Sequence, residues 1–255
     1  LAKPSGAFAA AAERLGRYPR AAPLARSGPA EIADAALAFN QMQARLNRYV
    51  YDRTTVIGAI AHDLRTPLMR LELRLEAAPD QLRKACEGDI RDMEAMVAAT
   101  MAYVRDTSQP AGRRPLDLRT LTESVTDDLS DRGAAVTLEP GEAVVLDGNP
   151  AALKSMLSNL ISNALKYAGS AEVLLDRDAE QVRVEVRDNG PGIPADDLDR
   201  MFEPFFRGER SRNRDTGGIG LGLASARAVA RAHGGDVTLE NRAQGGLSAL
   251  VTLPT

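Results

Sequence analysis

The stretch that organises this chain spans residues 57–75 and reads IGAIAHDLRTPLMRLELRL. Its large aliphatic side chains recur at spacings of three and four residues, as on one apolar face of a helix. They are Ile57, Ile60, Leu64, Leu68, Leu71 and Leu75. His62 and Thr66 are one helical turn apart and lie off this stripe. The stretch therefore predicts an amphipathic helix that presents an imidazole to solvent.

A second apolar stripe with helical spacing follows a break at Pro79 and Asp80. Its members are Leu82, Cys86, Ile90, Met93, Val97, Met101 and Val104. The two matching stripes predict a helical hairpin, and two such hairpins predict a dimeric antiparallel four-helix bundle. The Pro- and Gly-containing run from Ser108 to Pro115 then predicts a linker.

The first 50 residues predict two short helices around an extended connector. An Ala-rich helix is expected from Ala7 to Leu15, followed by a breaker-rich connector from Gly16 to Pro29. The second helix carries apolar residues at coiled-coil spacing, namely Ile32, Phe39, Met42, Leu46 and Tyr49. Because two such helices pack poorly alone, we expect them to dimerise as a parallel coiled coil.

Beyond the linker the hydrophobic period changes from helical to alternating. Strands are predicted around residues 136–138, 144–146, 173–175 and 182–186, with a closing hairpin over 237–253. Helices are predicted from about 151 to 167 and from about 220 to 233, where Gly234 suits a helix end. The second half should therefore be an antiparallel or mixed sheet covered by helices, which is an α/β sandwich.

Composition disfavours several functional classes. The net charge of -3 and the scattered arginines argue against nucleic-acid binding. A single cysteine, Cys86, excludes an intrachain disulfide and a cysteine-rich metal site. No run of 18 apolar residues occurs. Because the sequence begins at Leu1 within a predicted helical domain, we expect a fragment that starts just after a membrane span.

Residues 61–68 carry the sharpest chemical signal. A neutral imidazole such as that of His62 is a competent nitrogen nucleophile, and the adjacent Asp63 can take its proton. Thr66, one turn on, can orient a water for hydrolysis of the product. A lone surface histidine would ordinarily be no more than a solvated side chain, so the interpretation depends on the other motifs.

A second segment, from Asn159 to Tyr167, suits phosphate and a hard cation. Asn159 and Asn163 are four residues apart and share a helical face, so their amide oxygens can serve an oxygen-preferring ion such as Mg²⁺. Lys166 adds a positive charge within reach of phosphates. Standing alone, the pair would more often be two asparagines on a solvated helix face.

Two glycine segments complete the set. The run DNGPGI over residues 188–193 follows a strand, where glycines admit a flat ligand and a carboxylate can accept from the exocyclic amine of adenine. The run GGIGLGL over residues 217–223 opens a helix and offers amide donors to phosphate, without Walker or Rossmann spacing. Between them lies FEPFFR over 202–207, followed by Arg210, Arg212 and Arg214.

In this order, the segments resemble the H, N, first glycine, F and second glycine boxes of HisKA-type sensor histidine kinases. The resemblance covers about residues 50–255. The first 50 residues resemble a HAMP linker, with Pro4 near the start and Gly28-Pro29-Ala30-Glu31 where the second helix begins. Together these resemblances imply four parts: a HAMP linker domain over 1–50, a dimerisation and histidine phosphotransfer hairpin over 51–108, a linker over 109–115, and a Bergerat-type (GHKL) ATP-binding domain over 116–255. The implied fold is helical in its first half and α/β in its second.

The resemblance also implies residue roles. His62 would be the phosphoacceptor, Asp63 its assisting acid and Thr66 a phosphatase residue, while Arg207 would sit near the transferred phosphate. Asn163 would ligate Mg²⁺ and Asp188 would hold the adenine. The implied ATP-binding residues are Asn159, Asn163, Lys166, Tyr167, Asp188, Gly190, Gly192, Ile193, Phe202, Gly218, Gly220, Leu221, Gly222 and Leu223.

The implied activity is autophosphorylation of His62 from ATP with Mg²⁺, then transfer to an aspartate of a response-regulator receiver domain, with dephosphorylation of that partner by the same surface. The implied setting is a homodimer in the cytoplasmic portion of a bacterial inner-membrane protein, with no nucleic-acid partner. Two alternatives stay open: an ATP-driven clamp of the same superfamily, as in chaperones or mismatch repair, and a non-catalytic dimeric scaffold. The His62 segment disfavours the clamp, and the complete set of binding residues disfavours the scaffold.

Overall fold

The computed structural model describes residues 23–25, 29–108, 112–208 and 219–255. The chain divides into two compact units, Leu1–Ile57 and Gly58–Thr255. The helix predicted over 7–15 and most of the connector lie outside the described residues. In the described part of the chain, no helix combines the length and the apolar character needed to cross a membrane.

In the first unit, the described connector is fastened to the long helix α1, Ala30–Glu76, whose 47 residues continue into the second unit. The backbone N–H of Leu24 donates to Oδ1 of Asn40 at 2.8 Å, and Nδ2 of Asn40 donates to the Leu24 carbonyl at 2.9 Å. Met42, Leu46 and Tyr49, three of the predicted coiled-coil positions, are exposed. The parallel coiled coil stays a prediction.

The second unit begins with the predicted hairpin, in which the end of α1 pairs with α2, Asp80–Ser108. Its interior contains Ala61, Leu68 and Val97, with Met101 packed against them. The predicted single stripe splits into two faces, because a bundle helix packs both on its hairpin partner and on a further helix. The exposed face consists of Ile60, Leu64, Leu71, Leu82, Met93 and Met96.

The rest of the second unit is the α/β sandwich that the alternating pattern predicted. The strands are β1 Arg114–Asp117, β2 Ala135–Leu138, β3 Val145–Gly148, β4 Ser170–Arg177, β5 Gln181–Arg187, β6 Asp236–Asn241 and β7 Leu247–Pro254. The helices are α3 Leu118–Ser130, α4 Pro150–Ala168 and α5 Gly222–Ala232. Two 3₁₀ turns, Ala195–Asp197 and Arg200–Phe202, lie between β5 and α5.

The main sheet is mixed. Its strand order is β2-β4-β5-β7-β6, where β2 pairs with β4 in parallel and all other neighbours are antiparallel. A separate antiparallel ladder joins β1 to β3, so strand structure already begins at Arg114, inside the predicted linker. The strand β1 and the helix α3 were not predicted.

One face of the main sheet packs on α3, α4 and α5. Alternate strand residues such as Val173, Val184 and Val251 are fully buried against α4 residues such as Leu157 and Ile161. The intervening residues of these strands point to the opposite face, which is mostly polar and carries Glu172, Arg183, Glu185 and Thr252. This one-sided core fixes α4 and α5 side by side, and both predicted phosphate-binding segments lie on them.

The starts and ends of α4 and α5 are tied together by Asn149 and His233. The side chain of Asn149 caps α4 by accepting from Ala151 and Ala152. The backbone N–H of Asn149 donates to Nε2 of His233 at 3.0 Å, and Nδ1 of His233 donates to the Val229 carbonyl at 2.8 Å. Beyond it, Gly234 has a φ of 85°, a conformation that favours glycine. His233 is thus a structural residue at a helix end.

Candidate functional site

A cavity of about 260 Å³ opens between α4, α5 and the segments before α5. Half of the 18 predicted site residues line it. They come from the N box, from the end of the F box and from the second glycine box. They are Asn159, Asn163, Lys166, Tyr167, Arg207, Gly220, Leu221, Gly222 and Leu223. The fold therefore gathers in one place residues that are up to 64 positions apart, from Asn159 to Leu223.

The wall on α4 is polar. A Cβ placed on Gly222 would lie 3.8 Å from Oδ1 of Asn159, so the amide of Asn159 faces the beginning of α5. Asn163 is one turn further along α4, on the same face. Lys166 follows, with its Nζ 5.1 Å from the ring centroid of Tyr167. The wall thus combines amide oxygens with a cation, which suits a polyphosphate and its counter-ion.

The opposite wall requires a glycine at 220. Gly220 has a φ of 73°, and a Cβ there would lie 2.5 Å from the carbonyl oxygen of Phe206. The backbone N–H of Phe205 donates to the Gly220 carbonyl at 3.0 Å, and Phe205 itself has a φ of 68°. This close approach of two backbones brings Arg207 to the cavity.

Asp188 lies outside the lining of this cavity, at the end of β5. It is 9% exposed, and its Oδ1 accepts from the backbone N–H groups of Gly190 at 2.8 Å and Leu247 at 3.2 Å. Among the described residues, none is recorded as a hydrogen-bond donor to Oδ2. One oxygen is thus fixed while the other can accept from an exocyclic amine.

The first glycine box is held by a residue that the sequence did not indicate. Asn241, on β6, accepts from the N–H of Ile193 at 2.9 Å and donates to the carbonyl of Ile193 at 2.6 Å. A Cβ on Gly192 would lie 2.7 Å from Oδ1 of Asn241, so this position requires glycine as well. A Cβ on Gly190 would lie 3.4 Å from the carbonyl oxygen of Tyr167, so Gly190 lies close to the end of α4.

The other predicted residues of the ATP-binding half fall into two groups. Phe202 does not line the cavity; its ring lies 4.2 Å from the guanidinium carbon of Arg227. Gly218 lies outside the described residues, as do Arg210, Arg212 and Arg214.

His62, Asp63 and Thr66 lie on the solvent face of α1, apart from the cavity lining. The side chain of His62 is 70% exposed, and its Nδ1 lies 3.4 Å from Oδ1 of Asp63. The ring therefore points one nitrogen at a carboxylate and leaves Nε2 toward solvent. This arrangement suits a nucleophile whose proton is taken by its neighbour.

Five lining residues were not predicted: Ala99, Ser162, Met201, Phe206 and Ile219. Ser162, Phe206 and Ile219 lie inside predicted motifs and could have been found there. Ala99 belongs to α2 of the hairpin, and no motif at that position indicates a ligand.

The comparisons with known proteins agree with this geometry. Residues 148–255 match the family described as histidine kinase-, DNA gyrase B- and HSP90-like ATPase. The sensor histidine kinase GtrS of Pseudomonas aeruginosa is 37% identical over 255 residues, which is 99% of this chain and 52% of that protein. The sensor histidine kinase CpxA of Escherichia coli is 31% identical over 267 residues, which is 100% of this chain and 58% of that protein.

Over nearly its whole length, the chain is similar to sensor histidine kinases. Its ATP-binding half is a histidine-kinase-type ATPase domain, and its helical half aligns with the same relatives. The structure of full-length ShkA in complex with AMPPNP shares the fold, with a TM-score of 0.57 at 24% identity over 78% of this chain and 45% of that one. The chain spans about half the length of the curated sensor histidine kinases that it matches.

Proposed function

We propose that this chain is an ATP-dependent protein-histidine kinase that phosphorylates its own His62. One observation carries the proposal: a solvent-facing imidazole paired with a carboxylate stands on an apolar hairpin in the same unit as the ATPase-domain cavity. An ATP-driven clamp needs no exposed nucleophile of this kind, so the His62 surface favours the kinase over the clamp.

In the proposed reaction, Nε2 of His62 attacks the γ-phosphorus of ATP in line with the bridging oxygen. The N–P bond forms, the bond from phosphorus to the β–γ bridging oxygen breaks, and ADP leaves with the electron pair. Asp63, near Nδ1, accepts the proton that the ring loses and stabilises its positive charge. Lys166 and Arg207 line the cavity, where they would hold the phosphates and offset the charge that develops on them.

Magnesium fits the residues at the cavity, although the described part of the chain has no cluster of three or more His, Cys, Asp or Glu side chains suited to a metal. The amide oxygen of Asn163 is a hard ligand, and Mg²⁺ usually takes only one or two protein ligands beside phosphate oxygens and waters. When bound, the ion would neutralise phosphate charge. Asn163 would hold it, and Asn159 beside it would keep the amide face aligned.

Further parts of the proposal concern partners and setting. The phosphoryl group would pass from the His62 nitrogen to an aspartate carboxylate of a response-regulator receiver domain, breaking the N–P bond and forming an acyl phosphate. Thr66 would orient a water when the same surface removes that phosphate. The exposed apolar face of the hairpin supports a homodimer. The relatives of this chain are named as sensor histidine kinases, which supports the proposal that the chain is the cytoplasmic portion of a bacterial inner-membrane protein.

The domain assignment is part of the same proposal: HAMP over 1–50, phosphotransfer hairpin over 51–108, linker over 109–115 and ATP-binding domain over 116–255. The helix α1 runs unbroken through residue 50, and the two compact units meet at Ile57 and Gly58. The two hydrogen bonds between Leu24 and Asn40 place this described part of the connector beside the second helix, which supports the HAMP assignment.

The test is incubation of the purified chain with γ-labelled ATP and Mg²⁺, followed by acid and alkali treatment of the labelled protein. Acid-labile, alkali-stable label is expected in the wild-type chain. It should vanish in His62→Ala, which lacks the nucleophile, and in Asn163→Ala, which lacks the proposed magnesium ligand. Arg65→Ala, an exposed neighbour on the same helix, is the matched control and should retain the label.

Two results would count against the proposal. Label that persists in His62→Ala would remove His62 as the phosphoacceptor. ATP hydrolysis without acid-labile label would favour the clamp-type ATPase instead.

A further inference from the structure

A buried carboxylate connects the hairpin to both nucleotide-binding helices. Asp106, near the end of α2, is 6% exposed. Its Oδ2 accepts from the hydroxyl of Ser155 on α4 at 2.8 Å and from the hydroxyl of Ser225 on α5 at 2.6 Å. A buried charge is stable only when it is hydrogen-bonded, so these two hydroxyls are what make this position tolerable for an aspartate.

Both serines stand beside residues of the cavity. Ser155 is one turn before Asn159 on α4, and Ser225 is three residues after Gly222 on α5. The same carboxylate oxygen therefore fixes the spacing of the two helices whose other side chains line the cavity. Because α2 also packs along α5, the hydrogen bonds are part of a continuous contact between the hairpin and the ATPase domain.

With the ATPase domain packed on α2 in this way, the cavity faces α2 and not α1, the helix that carries the phosphoacceptor of the same chain. Ala99 of α2 lines the cavity, whereas none of the described lining residues belongs to α1, which carries His62. The imidazole is largely exposed, and its hydrogen-bond partner among the described residues is Asp63 of the same helix. In-line attack requires the nitrogen to approach the γ-phosphorus to within roughly 3–3.5 Å.

We propose that Asp106 is a positioning residue that latches the ATPase domain onto α2 and so holds it away from His62. This inference rests on the proposed kinase function. Release of the latch frees the domain to carry the nucleotide to the phosphoacceptor, where the N–P bond forms and ADP departs. The latch acts on the rate of phosphoryl transfer through the fraction of molecules that are undocked, and leaves the transfer chemistry itself unchanged.

The experiment compares Asp106→Ala with Asp106→Asn in the full chain. Alanine removes both hydrogen bonds, whereas asparagine keeps an acceptor oxygen. Asp92→Ala, an exposed aspartate of the same helix, is the matched control. The initial rate of acid-labile labelling at saturating ATP is expected to rise about tenfold in Asp106→Ala, because two charge-assisted hydrogen bonds are lost. It should stay near the wild-type rate in Asp106→Asn and Asp92→Ala.

Single and double variants test the pairing. Ser225→Ala should also raise the rate, and the double variant should add little to Asp106→Ala alone, because Asp106→Ala already lacks the hydrogen bond from Ser225. A rise in rate also separates positioning from simple damage, because a destabilised domain loses activity. An unchanged rate or a fall in Asp106→Ala would overturn the proposal; a fall would mean that the docked arrangement is the productive one.

Amide hydrogen exchange gives a readout that needs no phosphorylation. Exchange over residues 99–106 and 221–226 should be faster in Asp106→Ala than in Asp92→Ala, and equal exchange would overturn the latch. A wild-type chain that takes up no label counts against the proposed kinase function. In that case, the exchange comparison alone still tests whether Asp106 holds the ATPase domain on α2. The two failures are thereby distinguished.

Discussion

At the scale of single residues, His233 couples the two nucleotide-binding helices through a neutral imidazole. Its Nδ1 donates to Val229 and its Nε2 accepts from Asn149, so neither nitrogen can take a further proton without losing a bond. Burial is the main cause that lowers the pKa of His233, and the positive charge of Arg113 lowers it further. The unfolded chain therefore binds a proton at higher pH than the folded one.

This difference predicts a pH-dependent stability. Below about pH 6.5, the ordinary histidine value, the unfolded state takes up more protons, so folding stability is fully present above that pH and falls as the pH decreases toward 5. The limiting slope is about 1.4 kcal/mol per pH unit. Thermal unfolding midpoints at pH 8, 7, 6 and 5 would measure it.

The chain has two histidines, which makes the control direct. His62→Ala leaves His233 and its hydrogen bonds in place and changes a side chain that is 70% exposed, so the slope assigned to His233 should persist. His233→Gln should flatten it. Equal slopes in His233→Gln and the wild-type chain would assign the effect to other groups.

Motif residues were predictable where chemistry demands a particular residue type. The paired asparagines, Lys166 and two glycines of the second box, Gly220 and Gly222, were expected at one site, and they line one cavity. Asn241 could not be predicted, because an asparagine in a strand is unremarkable and its partner Ile193 is 48 residues away. Ala99 gave no signal either, since alanine abounds in the helical half. Both depend on tertiary proximity that a single sequence does not carry.

At the scale of elements, two mid-helix glycines serve different purposes. A Cβ on Gly58 would lie 2.9 Å from Cγ1 of Val104, so this glycine allows α1 and α2 to approach closely. A Cβ on Gly88, within α2, would meet nothing within 4 Å. Both glycines carry the entropic cost of a flexible helix residue, but only Gly58 gains packing in return.

The matched pair gives opposite expectations. Gly88→Ala should stabilise the hairpin by about 0.5–1 kcal/mol, the helix-propensity difference. Gly58→Ala should lose that gain and destabilise by about 1–3 kcal/mol through crowding against Val104. Chemical denaturation with constant slope would measure both, and a stabilising Gly58→Ala would contradict the close approach of the helices.

Element prediction succeeded where periodic patterns are long. The hairpin, the sandwich and the closing β-hairpin all follow from apolar spacing. The helix α3 was missed even though Leu118, Leu121 and Val125 recur at spacings of three and four. No element was predicted between the end of the linker at Pro115 and the strand near Val136, because three apolar residues make too short a helical pattern. The strand β1 has four residues, too few for alternation to be visible.

At the scale of the whole molecule, the exposed apolar face of the hairpin favours packing against a second copy of the chain. Leu64 and Leu71 on α1, with Leu82 and Met93 on α2, are exposed although their spacing is that of bundle positions. Large aliphatic side chains in such a row are costly in water, and a second hairpin covers them. The proposed homodimer is the arrangement that removes this cost.

Leu71→Glu should therefore weaken self-association by at least about tenfold, because a carboxylate would be buried without a partner. Mass measured by light scattering across a dilution series should shift from dimer toward monomer. Arg70→Glu changes the charge of the adjacent exposed position and is the control. If both variants keep the wild-type mass at every dilution, the face is not the dimer contact.

The short ladder between β1 and β3 has a mechanical consequence. Arg113, just before β1, donates to the carbonyl of Ala232 at the end of α5, and Arg114 pairs with Gly148, next to the cap of α4. A pull on the preceding linker would thus load one end of each nucleotide-binding helix at the same moment. Because the ladder has only four residue pairs, tension on Arg114 would break its hydrogen bonds one after another, starting with the pair of Arg114 and Gly148. Tension from the hairpin would therefore open this short ladder before it affects the larger five-stranded sheet.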